Sequence, residues 1–174
     1  MQSKQFLRFT VLIRAEGDRD KSFLDYLYSL YHVKGIRVKI ENEHGGTPKS
    51  LVETMIRVDL SKKFDKNVAF FDTDQGEEEV AEAEKLATSQ NIIILKSITS
   101  IEVELAPFLT EDKKSLSKTK RSTNDAKEVL RKLCHLQNVD DEIDWHKYFP
   151  KTLLNQKRKS SPWLNRLICL IEEK

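Results

Sequence analysis

Two aspartates that close a short apolar run, Asp72 and Asp74, are the residues best placed to do chemistry in this 174-residue chain. Residues 67–71 before them have the apolar character of a buried strand. If the strand geometry continues, alternate side chains point the same way and the two carboxylates converge. Such a pair repels unless a proton or a cation lies between, and Mg²⁺ takes oxygen ligands of this kind. Alternatively, Asp72 caps the next helix and Asp74 is a solvated turn residue.

Two glutamates follow other predicted strands. Glu16 comes directly after a strand predicted over residues 6–15, and Glu102 lies a few residues beyond one predicted over residues 91–95. Glu102 also stands three residues after Thr99, which is the spacing of a helix capping box. Both interpretations of Glu102, as a site residue and as a capping residue, are open.

The four acids are expected to meet in the folded protein. Ligands of open parallel sheets bind outside the carboxyl ends of the strands, so Glu16 and Glu102 would share one edge with the aspartate pair. A cluster of carboxylates there is costly without a metal ion. Glu77 opens the helix after the aspartates and fits the helix dipole better than it fits a metal. We therefore predict a metal site at this edge.

The elements that would position these acids form an α/β pattern. From residue 6 to about residue 109, apolar strand-like runs alternate with helical runs, which indicates a mostly parallel sheet covered on both faces. We predict a four-stranded sheet flanked by helices within residues 1–110, and a basic helical extension over residues 111–174 that packs on it. The polar residues 110–124 predict a linker or a mobile loop.

Charge is unevenly distributed along the chain. The net charge is +2, but residues 113–174 carry 15 basic and 8 acidic residues, whereas residues 1–112 carry 15 and 20. A basic segment can attract a polyanion, although most charge runs are solvated helix faces. The sequence thus allows an acidic site and a basic contact surface in one protein.

The cysteines and the apolar runs bear on the cellular setting. Cys134 and Cys169 show no metal-ligand spacing, so we expect core thiols in a reducing, cytoplasmic environment. No apolar run reaches transmembrane length, and the first residues lead into a strand rather than a signal peptide. We therefore expect no membrane association.

The glutamate and aspartate motifs together resemble those of Toprim domains, the catalytic module of topoisomerases, primases and several nucleases. Glu16-Gly17 after a strand is similar to their glutamate motif, and Asp72-Thr73-Asp74 looks like their Asp-x-Asp motif, in the same order and with similar intervening βα units. Within that group, residues 97–102 most resemble the Ser-x-Pro-Ser-x-Glu segment of the small RloB-like family. Ser97, Ser100 and Glu102 match this segment, and Thr99 replaces its proline. The resemblance covers roughly residues 6–109.

The resemblance implies a nuclease that hydrolyses phosphodiester bonds with Mg²⁺ or Mn²⁺. Glu16 would act as a general acid or base or help to bind metal, and Asp72 and Asp74 would hold the ion. Glu102 or Glu77 would be ligands of a second metal. The family also implies a nucleic-acid substrate, a role in bacterial or phage defence, and a partner ATPase or restriction complex.

Four basic residues are candidate phosphate contacts, because lysine and arginine stabilise phosphate charge. They are Lys96 beside the predicted site and Lys157, Arg158 and Lys159 in a C-terminal basic loop. The alternative for each is a solvated surface residue.

Two other functions compete with the nuclease. Haloacid-dehalogenase-like phosphatases also carry an Asp-x-Asp motif, but theirs follows the first strand and leaves Glu16 without a role. A Toprim-like fold can also bind nucleic acid or protein without cutting, since a fold does not determine a function.

Overall fold

The computed structural model describes residues 9–59, 62–112, 114–115, 117 and 122–173. Its strands are β1 Phe9–Ala15, β2 Ile36–Asn42, β3 Lys66–Asp72 and β4 Ile93–Ser97. Its longer helices within the first 110 residues are α1 Asp18–Tyr31, α2 Pro48–Thr54, α3 Glu77–Ser89 and α4 Ile101–Leu109. The C-terminal helices are α5 Thr123–Leu133, α6 Trp145–Tyr148, α7 Lys151–Lys157 and α8 Pro162–Glu172. The predicted α/β fold with a helical C-terminal region is confirmed.

All four strands are parallel, in the order β2-β1-β3-β4. The chain adds β2 on one side of β1 and then crosses to add β3 on the other side. The connections leaving β1 and β3 therefore run to opposite faces of the sheet, which opens a crevice at the carboxyl ends of these two neighbours. This crevice is where ligands bind in sheets of this type.

Helices cover both faces of the sheet because its strands are apolar on both sides. Alternate residues such as Val11 and Phe70 pack with α1, α4 and the C-terminal helices in one large core cluster. Their neighbours Leu12 and Phe71 pack with α2 and α3 in a second cluster. Within the described residues, 10 of the 24 buried members of the large cluster lie beyond residue 110. The C-terminal helices thus share one core with the sheet.

The fourth strand differs in its bounds from the sequence-based expectation. The fourth strand was expected over residues 91–95 but extends over Ile93–Ser97. Helix α2 begins at Pro48, where the preceding Thr47 hydroxyl accepts a hydrogen bond from the Ser50 amide. It ends at Thr54 and continues as a π-helical turn, Met55–Asp59.

Parts of two other predictions lie outside the described residues. These parts are residues 6–8 of the first predicted strand, and residues 113, 116 and 118–121 of the predicted linker. The last residues of that linker, from Thr123, already belong to α5. Among the described residues, no helix is long and apolar enough to cross a membrane.

Candidate active site

A cavity of about 660 Å³ lies at the carboxyl ends of β1 and β3. The first turns of α1 and α4, the start of α5 and residues 140–143 enclose it. Nine of its lining residues are acidic: Glu16, Asp18, Asp20, Asp72, Asp74, Glu102, Asp140, Asp141 and Glu142. Two are basic, Arg19 and Lys127. The four acids predicted from the sequence all line this one cavity.

Glu16 stands directly beside the end of β3. Its Oε2 accepts a hydrogen bond of 3.1 Å from the backbone N–H of Asp72, and its Oε1 accepts a longer one of 3.5 Å from the Gln75 side chain. Burial raises the pKa of Glu16, and the nearby charge of Asp74 raises it further, while the two hydrogen bonds act in the opposite direction. Glu16 is therefore a carboxyl group that holds a proton more readily than an exposed glutamate.

Asp72 is the last residue of β3 and accepts a hydrogen bond from the hydroxyl of Ser97, the last residue of β4. Burial, and then the charge of Asp20, raise the pKa of Asp72 to about 9, although the Ser97 hydrogen bond opposes the shift. Since β3 and β4 are paired in parallel with Asp72 opposite Ser97, the sheet itself sets this contact. The Asp72 carboxyl group is thus held in one orientation at the crevice, and its ionisation there costs free energy.

Asp20, in the first turn of α1, is a further acid of this cavity that was not among the residues predicted from the sequence. Its Oδ2 accepts a hydrogen bond of 3.1 Å from the Gly17 amide at the start of α1. Its Oδ1 is buried with no hydrogen-bond partner, and the residue is only 5% exposed. Burial and the charge of Glu102 raise the pKa of Asp20 to about 7. The signal in the sequence was an acid four residues after Glu16, at the start of the helix that follows β1.

Glu102 lies in the cavity rather than in a capping box. The N-cap of α4 is Ser100, without a side-chain hydrogen bond, so the capping interpretation through Thr99 is wrong. Glu102 is 2% exposed and forms an ion pair of 2.9 Å with Arg19 of α1. The Arg19 guanidinium also donates to the carbonyls of Val139 and Asp141. One arginine thereby joins α1, α4 and the loop before α6.

Asp74 lies at the mouth of the cavity. It is exposed, and its Oδ2 accepts a hydrogen bond of 2.6 Å from the hydroxyl of Thr123 at the start of α5. Asp72 and Asp74 line the same cavity, as the spacing predicted, but Asp72 is half-buried whereas Asp74 is exposed. Glu77, the first residue of α3, is exposed and does not line the cavity.

The backbone at Thr99 explains why proline does not fit there. Thr99 has a φ of 70°, whereas a proline ring holds φ near −65°. The Thr99 amide also donates a hydrogen bond of 2.9 Å to the Thr73 hydroxyl, and proline has no N–H to donate. The loop after β4 is thereby tied to the residue between Asp72 and Asp74.

The carboxylate oxygens of the cavity acids are suitable ligands for a hard divalent cation. In this structure, their oxygens are not close enough together to coordinate one ion. Carboxylate oxygens are the ligands of Mg²⁺, and a cation would offset both the burial and the mutual repulsion that raise the pKa values of Asp20 and Asp72. The unpartnered Oδ1 of Asp20 is a free acceptor for such an ion. Among the described residues, no three histidine, cysteine, aspartate or glutamate side chains converge as metal ligands.

The four basic residues proposed from the sequence lie away from this cavity. Lys96 forms an ion pair of 2.6 Å with Glu84 of α3. Arg158 pairs with Glu172 of α8, and its guanidinium lies 5.9 Å from the ring of Tyr31 at the C-terminal end of α1. The cavity adjoins the N-terminal end of α1. A helix of 14 residues is about 20 Å long, so its two ends are separated by that distance. Lys157 and Lys159 flank Arg158 there.

Compared with protein-family models, with curated proteins and with solved structures, the chain gives no significant match. The residues and geometry of the cavity are therefore the basis for assigning a function.

Proposed function

We propose that the protein is a metal-dependent nuclease that hydrolyses phosphodiester bonds in nucleic acid. The observation that carries this proposal is that four carboxyl groups, three of them buried and Asp72 half-buried, line one cavity at the β1–β3 crevice: Glu16, Asp20, Asp72 and Glu102. Burying acids together costs free energy, so a functional cation is the simplest reason to keep them there. The resemblance of the glutamate and Asp-x-Asp motifs to Toprim domains supports the same reaction class.

Asp72 and Asp20 would hold the metal, because they are the buried acids most affected by mutual repulsion. Glu16 or the exposed Asp74 would complete the oxygen ligands. Mg²⁺ or Mn²⁺ bound there would polarise the phosphate and acidify a water molecule.

The protein's own groups provide orientation and proton handling. Ser97 fixes the Asp72 carboxylate, and the Asp72 amide and Gln75 fix Glu16. Because burial raises its pKa, Glu16 is suited to take a proton from water and return it to a leaving oxygen. The first turns of α1 and α4 place positive helix-dipole ends beside the acids, which favours negative charge in the cavity.

The test is cleavage of labelled single-stranded DNA, double-stranded DNA and total RNA with Mg²⁺, Mn²⁺ or EDTA. We expect metal-dependent cutting by the wild type, and a loss of at least about a hundredfold in Glu16→Gln and Asp72→Asn. The matched control is Asp25→Asn, an acid on α1 that pairs with Lys21 outside the cavity and should leave cutting unchanged.

The assay also separates the competing functions. Binding of nucleic acid without cutting by any form would favour a non-catalytic binding module. A phosphatase activity with a covalent aspartyl-phosphate would favour the haloacid-dehalogenase-like alternative. The defence role and the partner ATPase or restriction complex stay predictions from the resemblance, and the cytoplasmic location stays a prediction from the cysteines.

A further inference from the structure

Helix α5 presents two residues to the acidic cavity. Thr123 and Lys127 are four residues apart, so they lie on the same side of the helix, and both line the cavity. Thr123 contacts Asp74 through its hydroxyl, while Ala126, Val129 and Leu130 are buried. The helix is thus held in place by packing, with one side toward the acids.

A phosphate that enters this cavity meets a strong excess of negative charge. Nine acidic residues line the cavity, against Arg19 and Lys127. The guanidinium of Arg19 is already occupied by the Glu102 carboxylate and by two backbone carbonyls. Arg19 therefore has little capacity left for a substrate.

Lys127 differs from Arg19 in this respect. Within the part of the chain that the structure describes, it forms no direct hydrogen bond or ion pair, and its side chain is half-buried. Its charge acts on Asp20, where it opposes the effect of burial on the pKa of that group. The next lysine of the helix, Lys132, is 63% exposed and pairs with Glu128 outside the cavity. Lys127 is thus a cation held beside the acids without a partner of its own.

We propose that Lys127 binds a non-bridging oxygen of the substrate phosphate that lies against the acid cluster. This rests on the proposed nuclease function and names a residue that contacts its substrate. A lysine ammonium is a compact point charge suited to phosphate, and a partly desolvated position strengthens its attraction. The C-terminal helical region would then supply part of the active site rather than only covering the sheet.

The experiment measures binding and cleavage in the full-length protein. The binding probes are fluorescein-labelled 12-nucleotide DNA and RNA strands with Ca²⁺ as the divalent ion, followed by anisotropy over a salt series. The variants are Lys127→Gln, which removes the charge, Lys127→Arg, which keeps it, and Lys132→Gln as the matched control on the same helix.

We expect Lys127→Gln to bind both the DNA and the RNA strands about tenfold more weakly than the wild type. The slope of log affinity against log salt concentration should be smaller in magnitude by about 0.7. With Mg²⁺, its kcat should fall by about a hundredfold, as for the loss of one charge-stabilising donor. Lys127→Arg should restore most of the binding, and Lys132→Gln should match the wild type.

The outcomes separate this inference from the proposed function. If the wild type binds and cuts and Lys127→Gln does so equally well, Lys127 has no such role and the nuclease proposal stands. If Lys127→Gln loses thermal stability but keeps its affinity and salt slope, Lys127 only offsets the charge of Asp20. If the wild type neither binds nor cuts any probe, both proposals fail.

Discussion

At the scale of single residues, protonation is the property that distinguishes this site. Burial raises the pKa values of Glu16, Asp20 and Asp72, and neighbouring carboxylates add to the effect for all three. Burial is the largest cause of each shift, and the neighbouring acids couple the protonation of these groups to one another. Stability and metal binding should therefore both depend on pH through this cluster.

We predict that the metal-free protein loses stability as pH rises from about 4 to about 9. The folded pKa values of Asp20, about 7, and Asp72, about 9, lie above the ordinary value of 3.8. The folded state therefore holds protons that the unfolded state releases in this range, so the free energy of unfolding falls as pH rises. The loss is complete only above the folded pKa values.

The variant Asp72→Asn should show a smaller loss, because it carries no ionisable group at the most strongly shifted position. Each pKa unit between folded and unfolded states is worth about 1.4 kcal/mol, and we expect at least that difference at pH 9. The measurement is thermal or urea unfolding in EDTA at pH 5 to 9, with Asp25→Asn as a control that should follow the wild type. Equal pH profiles for the wild type and Asp72→Asn would contradict the assignment of the shift.

At the scale of elements, α1 serves two purposes. Its first turn contributes Arg19 and Asp20 to the cavity, and its body packs against the aromatic residues around α6. Trp145 donates a hydrogen bond of 2.8 Å from its indole to Ser22, and Tyr26 donates one of 2.6 Å to the carbonyl of Phe149. The position of the cavity acids is therefore tied to the C-terminal region through one helix.

We predict that Phe149→Ala lowers the free energy of unfolding by about 3–5 kcal/mol. Phe149 is fully buried, with its ring 5.6 Å from that of Trp145 and 6.4 Å from that of Phe23, so truncation leaves a cavity in the core. Urea unfolding measures the loss. The half-buried Tyr148, with Lys147 over its ring, gives a control, and Tyr148→Ala should cost clearly less. A loss below about 1 kcal/mol for Phe149→Ala would show that this packing is not formed.

At the scale of the whole molecule, the two predicted segments depend on each other. The large core cluster includes β1 residues such as Val11 together with Leu167 and Ile168 of α8. Without the C-terminal helices, the apolar face of the sheet that packs against α1 would be partly exposed to water, and exposed apolar area of that kind destabilises a fold.

We predict that a fragment of residues 1–110 does not fold cooperatively. Circular dichroism and urea unfolding of the fragment, compared with the full chain, test this. A cooperative transition with an m-value in proportion to its length would show that residues 1–110 form an independent domain.

The sequence by itself determined the order of elements and the edge at which the acids lie. Alternating apolar strands and helices require a parallel sheet, and a residue that follows a parallel strand lies at its carboxyl end whatever the other contacts are. Glu16, Asp72 and Glu102 were found for this reason, since their placement depends only on chain direction.

Only the tertiary structure decided which other residues join them. Asp20 and Lys127 are far from Asp72 along the chain, and their approach depends on how α1 and α5 pack. The same packing places Arg158 at the far end of α1, although its charge suggested the site. Charge and spacing are local properties of a sequence, whereas the distance between two helices follows from the shapes of all the side chains packed between them.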